Sequence, residues 1–572
     1  MVAMTQQLTH ARLKNKYMDT KRTILWAVFS IAGLLLYNNW LAYEGKTPLF
    51  GPQSMSKQEA VPVSGDEKKN DVPVSTATST NTAPVLAPKA IPASMAQLAS
   101  KERFTLQNDV LVIEVSADGA NVVSATLLKE LDVDKKPMRL MQVTPGHQYF
   151  ARSGLIAAGN TDLPNHTSEF KLQTSGKDGS GRPFLVVASE RNGVILEKTF
   201  ILNSGSYVID VMHRVTKNNA AVGPLVLYTE LVRDGSKLDE SEFYSTFTGP
   251  AVYTNKEKFN KLEFTDIEKN KIAIPKQVPA GDPAWVAMVQ HYYASAWIPS
   301  DKLNRDIYAG KIDTNVYRVG IQTPLEDIAP GKTTVETARL FVGPQQESTL
   351  EAIAPGLELL KDYGYLTILA KPIFWTLERI HEYVNNWGWS IVILTFLIKL
   401  LFYPLSAASY KSMARMKEVQ PKVMAMREAN KGNPQKMNQE MMALYKKEKI
   451  NPLGGCLPML IQIPVFISLY WVLLSSVEIR NAPWILWIHD LAVPDPYYIL
   501  PVIMAVSMWV QTKLNPTPPD PIQAKVMLYM PIIFSIMFFF FPAGLVLYWV
   551  VNNILSIAQQ WQINKMIIKR AM

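Results

Sequence analysis

One cysteine, Cys456, stands among 572 residues. That excludes an intramolecular disulfide framework and any metal site built on several thiolates. The seven histidines, at 10, 147, 166, 213, 291, 381 and 489, are scattered, with no HExxH and no pair at ligand spacing, so no metal is expected. GxSxG is missing, and PGKTT at 330–334 lacks the upstream glycine of a phosphate-binding loop. With these motifs gone, no cofactor is expected and the chain is not read as an enzyme. Residues 51–100 hold no aromatic residue and are rich in Pro, Ser, Thr, Ala and Lys. Such a stretch cannot bury enough apolar surface to offset its chain entropy. A flexible tether is expected over 44–102.

What is present is unevenly spread. Hydrophobic residues make up 48% of the chain, and their long runs fall in the first 45 and the last 200 residues. Residues 1–22, with Arg12, Lys14, Lys16, Lys21 and Arg22, read as a cytoplasmic N-terminus before TILWAVFSIAGLLLYNNWLAY, which starts at Thr23. This run is long for a signal peptide and no A-x-A site follows, so a transmembrane anchor is expected over 23–43; a cleaved signal peptide is the alternative. From 103 to 342 the apolar period becomes two, as in DVLVIEV (109–115) and SYVIDVMHRV (206–215), and Asn192-Gly193 offers hairpin chemistry. A large all-β sandwich is expected there. Its Trp285, Tyr292, Tyr293 and Trp297 either line a sugar-binding surface or serve as packing.

Residues 365–384 read as an amphipathic helix, with Leu366, Leu369, Ile373, Leu377, Ile380 and Val384 on one face. It lies either in the membrane interface or under the β domain. Five more spans fit 387–405, 453–476, 497–513, 524–541 and 544–563, each near the ~20 residues that cross a bilayer. Residues 406–450 carry ten basic and four acidic side chains, whereas 477–496 sets Arg480 against Glu478, Asp490 and Asp495. The excess of positive charge places both termini (the tail being 564–572), the 406–450 segment and the 514–523 loop in the cytoplasm. The β domain and the 477–496 loop then lie outside. The expected fold class is multi-domain: a polytopic α-helical bundle of six spans, five in its core, plus the β-sandwich.

WSIVILTFLIKLLFYPLS (389–406) places Lys399 inside a span, at a cost of about 2.5–3.5 kcal/mol if central. Snorkelling toward the cytoplasmic end accounts for a single lysine. Other polar residues, however, fall at similar depth: Thr395 one turn earlier, Gln462, the pair Ser507 and Gln511, and the stripe Asn552, Ser556 and Gln559. Each can hydrogen-bond a neighbouring helix. Their shared bias to one leaflet suggests a wet recess open to the cytoplasm. NPLGGCLPMLIQIP (451–464) would bend the span it opens. The 406–450 segment reads as a helical hairpin, with Met416, Val419, Val423 and Met426 on one arm and Met437, Met441 and Leu444 on the other. The methionines form either the hairpin's own seam or an adaptable surface for apolar clients. Its basic excess is either a solvated face or a contact for ribosomal RNA.

NPLGGCLPMLIQIPVF (451–466), QEMMALYKKEKINPLGG (439–455), WIHDLAVPDPYYILP (487–501) and FPAGLVLYWVVNN (541–553) resemble the YidC/Oxa/Alb family of membrane protein insertases. The anchor, tether and β domain are similar to its Gram-negative branch, with a periplasmic β-sandwich and an inner-membrane location. The resemblance implies an insertase and chaperone for nascent integral membrane proteins, acting alone or with the Sec translocase, within the lipid bilayer and without a small-molecule substrate. It implies that Thr395 and Lys399 line a hydrophilic groove, that Phe466, Met504, Met537, Tyr548 and Trp549 line the client path, and that the cytoplasmic hairpin receives clients. Many relatives carry Arg where Lys399 stands; Lys keeps the charge but loses the planar fork that clamps a carboxylate. No long basic tail follows the last span, so any ribosome contact is expected at the cytoplasmic loops. A small-solute secondary transporter is the alternative, although no internal repeat is evident. A membrane-anchored enzyme acting on carbohydrate is the third reading, suggested only by the β domain.

Overall fold

The computed structural model describes residues 102–571 apart from 133, 145, 159–161, 237–245, 273, 275–276, 431–433, 449–456 and 516–520. The expected N-terminus, anchor and tether lie outside the described residues but for Glu102.

Period-two segments pair into two antiparallel nine-stranded sheets. The first runs, in spatial order, β1 (Arg103–Gln107), β2 (Leu111–Ser116), β3 (Val122–Leu131), β4 (Pro137–Thr144), β5 (His147–Ala157), β10 (Leu225–Asp234), β17 (Val316–Pro324), β16 (Arg305–Asp313) and β13 (Gln277–Val278). The second runs β12 (Lys258–Lys261), β11 (Gly249–Thr254), β14 (Ala284–Val289), β15 (Tyr293–Pro299), β18 (Lys332–Pro344), β9 (Val208–Lys217), β8 (Val194–Leu202), β7 (Pro183–Arg191) and β6 (Lys171–Lys177). Asn192 and Gly193, at φ 50° and 66°, turn β7 into β8 with Arg191 paired to Val194. Both central residues of such a two-residue turn need positive φ, which is why Asn-Gly marks it. Alternate residues of β8, namely Val194, Leu196, Phe200 and Leu202, enter the core between the sheets. Lys198 occupies the same inward register with no exposed surface. Its ammonium donates to the carbonyls of Gly119 (2.6 Å) and Ser153 (2.8 Å) and lies 4.7 Å from the Phe170 ring centroid; burial pulls its pKa down to about 7. Trp285 and Trp297 are core residues, and the ring of Trp285 stacks on Tyr253.

After the short helices α1 (Phe264–Glu268) and α2 (Glu347–Ile353), the chain becomes helical: α3 (Thr367–Val384), α4 (Trp387–Leu401), α5 (Tyr403–Ala429), α6 (Pro434–Lys447), α7 (Leu457–Ser475), α8 (Ile499–Leu514), α9 (Pro521–Met537) and α10 (Ala543–Ala571). Helix α10 packs on α8, α4 and α5, α3 on α7 and α4, and α9 on α8. Among the described residues no single helix is long and apolar enough to cross a membrane. The bent pair Trp387–Leu401 and Tyr403–Met426, at 67°, passes that test together, and Gln462–Ser475, Ile499–Leu514 and Leu528–Phe540 are shorter apolar helices.

Three local features differ from the sequence expectations. The stretch 387–405 is broken at Phe402 (φ −90°, ψ 9°), because Pro404 has no N–H and its ring meets the carbonyl four residues back. Residues that follow the break, Ser406, Ser409 and Tyr410, are buried, so this part of α5 belongs to the bundle rather than to a separate hairpin. In α3 the buried residues are Ala370, Phe374 and Leu377; of the expected stripe Leu377 is buried and Ile373 and Ile380 pack partly against the core, while the face turns toward Ala370 and Phe374 and away from Leu369. Small Ala370 lets α3 sit close, and Leu369 is left exposed.

One end of the bundle is fixed by polar contacts of the 480–500 loop. Asp495 is buried and its carboxylate accepts from the Trp487 indole (3.0 Å) and from the amides of Tyr497 (3.0 Å) and Leu500 (2.7 Å) at the start of α8. The tip before α10 lies against the same loop: Ala543 N donates to Val493 O (2.8 Å) and Gly544 N to Leu491 O (2.9 Å). A Cβ on Gly544 would stand 3.2 Å from that Leu491 oxygen, so the glycine permits the approach.

Candidate functional site: a polar recess among four helices

The polar residues of α4, α7 and α10 converge. Lys399 Nζ donates to Ser556 Oγ at 2.7 Å, and Ser556 Oγ donates to the Asn552 carbonyl one turn back at 2.7 Å. Gln462 Nε2 donates to Asn552 Oδ1. The side chains of Asn552 and Ser556 lie four residues apart, hence on one face of α10, and both are buried. A cavity of about 30 Å³ opens here, lined by Ile398, Lys399, Phe402, Leu405, Ser406, Gln462, Val465 and Asn552. Among the described residues no carboxylate pairs with Lys399, whose hydrogen-bond partner is a neutral hydroxyl. An ammonium with a neutral partner gives the recess a positive field that a carboxylate entering it would neutralise.

The other expected groove residues are distributed around this centre. Thr395 is buried one turn before Lys399 and its hydroxyl donates to the Ile391 carbonyl of its own helix (2.7 Å). Ser507 belongs to a second polar contact, accepting from Asn553 Nδ2 at 3.1 Å and donating to Met504 O at 2.7 Å. Gln511 and Gln559 are half-buried. Asn553, Gln560, Ser406 and Tyr410 are buried here as well, beyond the residues that the polar spacing marks. Asn553 follows Asn552 directly, and neighbours on a helix face different partners; the Asn-Asn pair was the available signal. Gln560 donates to Leu514 O and Asn515 Oδ1, both at 3.3 Å. Tyr410 is buried in the part of α5 that follows Phe402.

The aromatic residues ascribed to the client path form one cluster. Phe466 stands edge-on to Trp549 (4.4 Å between centroids) and near Tyr548 (6.3 Å), while Trp549 meets Phe538 (5.4 Å) and Phe534 (6.1 Å). Met504 is fully buried in the bundle core, and Met537 is exposed. The outward faces of α4, α8 and α9 carry Phe396, Leu400, Val502, Val506, Ile533 and Ile536, all exposed. In the α5–α6 hairpin, Met416 and Met441 pack with Val419, Val423, Leu444 and Tyr445 as a seam; Met426 and Met437 are half-buried. The open methionines are Met424 and Met442, on helix faces that the apolar spacing did not select.

Outside the recess, the β domain meets the end of α7. His291, beside β15, donates to the Leu474 carbonyl at 2.9 Å; burial pushes its pKa down to about 4, so it is neutral. Lys361 Nζ lies 3.1 Å from both carboxylate oxygens of Glu478. Burial lowers the Lys361 pKa, and the Glu478 carboxylate opposes the shift.

A two-sheet β domain joined to an apolar helical bundle with a polar, cationic recess defines a membrane protein with a large water-facing domain. Residues 379–570 match the family described as 60Kd inner membrane protein, and residues 103–376 match the YidC periplasmic domain. The membrane protein insertase YidC of Polynucleobacter necessarius subsp. necessarius is 68% identical over 97% of this chain and 100% of its own. That of Cupriavidus necator is 56% identical over 96% of this chain and 98% of its own. A crystal structure of an active YidC insertase with its first transmembrane domain resolved covers 80% of this chain and 92% of its own, at 16% identity and a TM-score of 0.37. The chain belongs to the YidC family of membrane protein insertases. It is accordingly an inner-membrane protein with a periplasmic domain.

Proposed function

We propose that this chain inserts integral membrane proteins into the inner membrane and assists their folding. The observation that carries the reading is the recess at Lys399: a cation bonded to a neutral hydroxyl, beside a cavity, in a bundle whose outward helix faces are apolar. Carrying a polar segment across a full bilayer is prohibitive because its groups lose water. A recess lined by Lys399, Gln462, Asn552 and Ser556 shortens that dry path. The ammonium gives acidic client residues a temporary site. The client's apolar segment then moves along the half-buried Phe466 and Trp549, which pack over the buried Tyr548, into lipid. Partition of that segment, at roughly 25 cal/mol per Å² removed from water, drives release, so no nucleotide is needed. The wider proposal has six spans with both termini in the cytoplasm, the recess open to that side, and the α5–α6 hairpin receiving clients. It also includes cooperation with the Sec translocase and a ribosome contact at the cytoplasmic loops. The small-solute transporter reading finds no support in the family to which the chain belongs.

The test is reconstitution of the purified chain alone in liposomes, with protease-protected insertion of a short, acidic-tailed, single-span client as readout. Insertion without nucleotide well above empty liposomes is expected. No stimulation over empty liposomes would refute autonomous insertion.

A further inference from the structure

The last turn of a helix leaves its carbonyls without intrahelical donors. At the end of α7 side chains meet carbonyls of the final turns, and one of the donors comes from the β domain. Ser476 Oγ donates to Val472 O at 2.6 Å, Ser475 Oγ donates to Trp471 O at 2.7 Å, and His291 Nε2 donates to Leu474 O at 2.9 Å. The turn that follows, Val477–Ile479, carries Glu478 onto Lys361. The Lys361 side chain has no exposed surface, and its ammonium lies 3.6 Å from the Phe374 ring centroid of α3. Arg480 Nη1 donates to the Tyr293 hydroxyl (2.5 Å), which donates to Glu130 (3.2 Å) on β3. Beside α7, Gly364 at φ +66° lies so close to Trp471 that a Cβ would stand 2.9 Å from the indole. The ends of β3 and β15 and the segment before α3 therefore converge on the C-terminal end of one helix.

The same helix carries a proline in its middle turns. Pro464 lacks an N–H and frees the carbonyl four residues before it. Gln462, which bonds Asn552 in the recess, precedes the proline, and Leu469 to Ser475 follow it.

We propose that Lys361 and His291 are positioning residues for insertion: they clasp the C-terminal half of α7, so that the recess opens by movement of the turns before Pro464 while the rest of the helix stays fixed. The proposal rests on the insertase reading. The clasp keeps the end of α7 fixed against the β domain during client entry, and the proline is where the fixed and moving parts of α7 meet. Removing either partner of the Lys361–Glu478 pair breaks the direct buried ion pair and, when Glu478 is lost, leaves Lys361 only the nearby Glu347 and Glu378 charges, whereas replacing both by apolar residues restores a packed contact.

The experiment uses the full chain in proteoliposomes and compares wild type with Lys361→Met, Glu478→Leu and the double variant. Amide hydrogen exchange is read over 466–476 and over the β strands, alongside the insertion rate of the acidic-tailed client. Each single variant is expected to exchange about tenfold faster over 466–476, with strand protection unchanged, and to insert about fivefold more slowly. The double variant is expected to recover both to within about twofold. Single variants that exchange and insert like wild type would overturn the proposal, as would faster exchange with unchanged insertion. A double variant as impaired as the singles would overturn it too, since closure of the clasp is what the proposal requires. If wild type itself fails to insert, the insertase reading falls, while the exchange pattern still judges whether the pair fixes α7.

Discussion

Replacing Lys399 by Gln removes the charge and keeps a side-chain donor for Ser556 Oγ, which now accepts from the ammonium at 2.7 Å. The perturbation therefore isolates the field of the recess from its polarity. A client carboxylate about 6 Å from the ammonium would be attracted by about 3 kcal/mol at an effective dielectric of 20. The recess is open enough to hold water, and screening brings this to roughly 1–2 kcal/mol. Felt in the rate-limiting passage of the client tail, that is about 5- to 30-fold in rate. The assay is insertion by wild type and Lys399→Gln of two clients that differ only in carrying Asp or Asn in the translocated tail. The Asp client is expected to slow by that factor, the Asn client by less than about twofold, and Lys399→Arg to restore the Asp client. Equal slowing of both clients would refute the electrostatic reasoning and leave Lys399 a structural donor to α10.

Asp495→Ala removes the acceptor of three hydrogen bonds at the start of α8; a loss of about 2–4 kcal/mol is expected, read as a lowered melting temperature of the purified chain. Gly388→Ala would put a Cβ 2.2 Å from Trp484 Cδ1, and about 1–3 kcal/mol of destabilisation from overpacking is expected, seen as a shift in tryptophan emission and a lower melting temperature. His291 and His213, whose pKa values burial lowers to about 4 and about 3, bind fewer protons folded than unfolded. Stability is then full above their ordinary value of 6.5 and falls as pH drops toward 4 and 3. A melting temperature that decreases between pH 6.5 and 4 is expected, with a shallower slope in His291→Gln, which keeps a donor for Leu474 O.

Much of the fold is legible along the chain because it depends on local periods. The alternation around DVLVIEV and the Asn192-Gly193 turn specify strands and a hairpin, since side-chain direction and positive φ are properties of a few consecutive residues. The polar stripe on α10 is likewise visible, because Asn552 and Ser556 share a face by helical geometry alone. Where the reading shifted, a partner outside the window decided the outcome. On α3 the expected Leu377 is buried, but the face turned to take in Ala370 and Phe374 because Lys361 and α7 press on that side. Lys198 sits in a core register that no sequence pattern would grant a lysine, because carbonyls from β5 and the β2–β3 turn come to meet it.

The sequence alone determined that this is a two-part chain with a strand-rich domain and apolar helices, and that a lysine and several amides would lie within the apolar part. Those are consequences of composition and spacing, which a linear reading contains in full. Only the tertiary structure decided that Gln462 would meet Asn552 and that Ser556 would hold Lys399. These pairs are separated by up to 157 positions, and a hydrogen bond needs its atoms within about 3 Å. That precision comes from helix packing and from the break at Phe402, where one absent N–H at Pro404 redirects a whole helix.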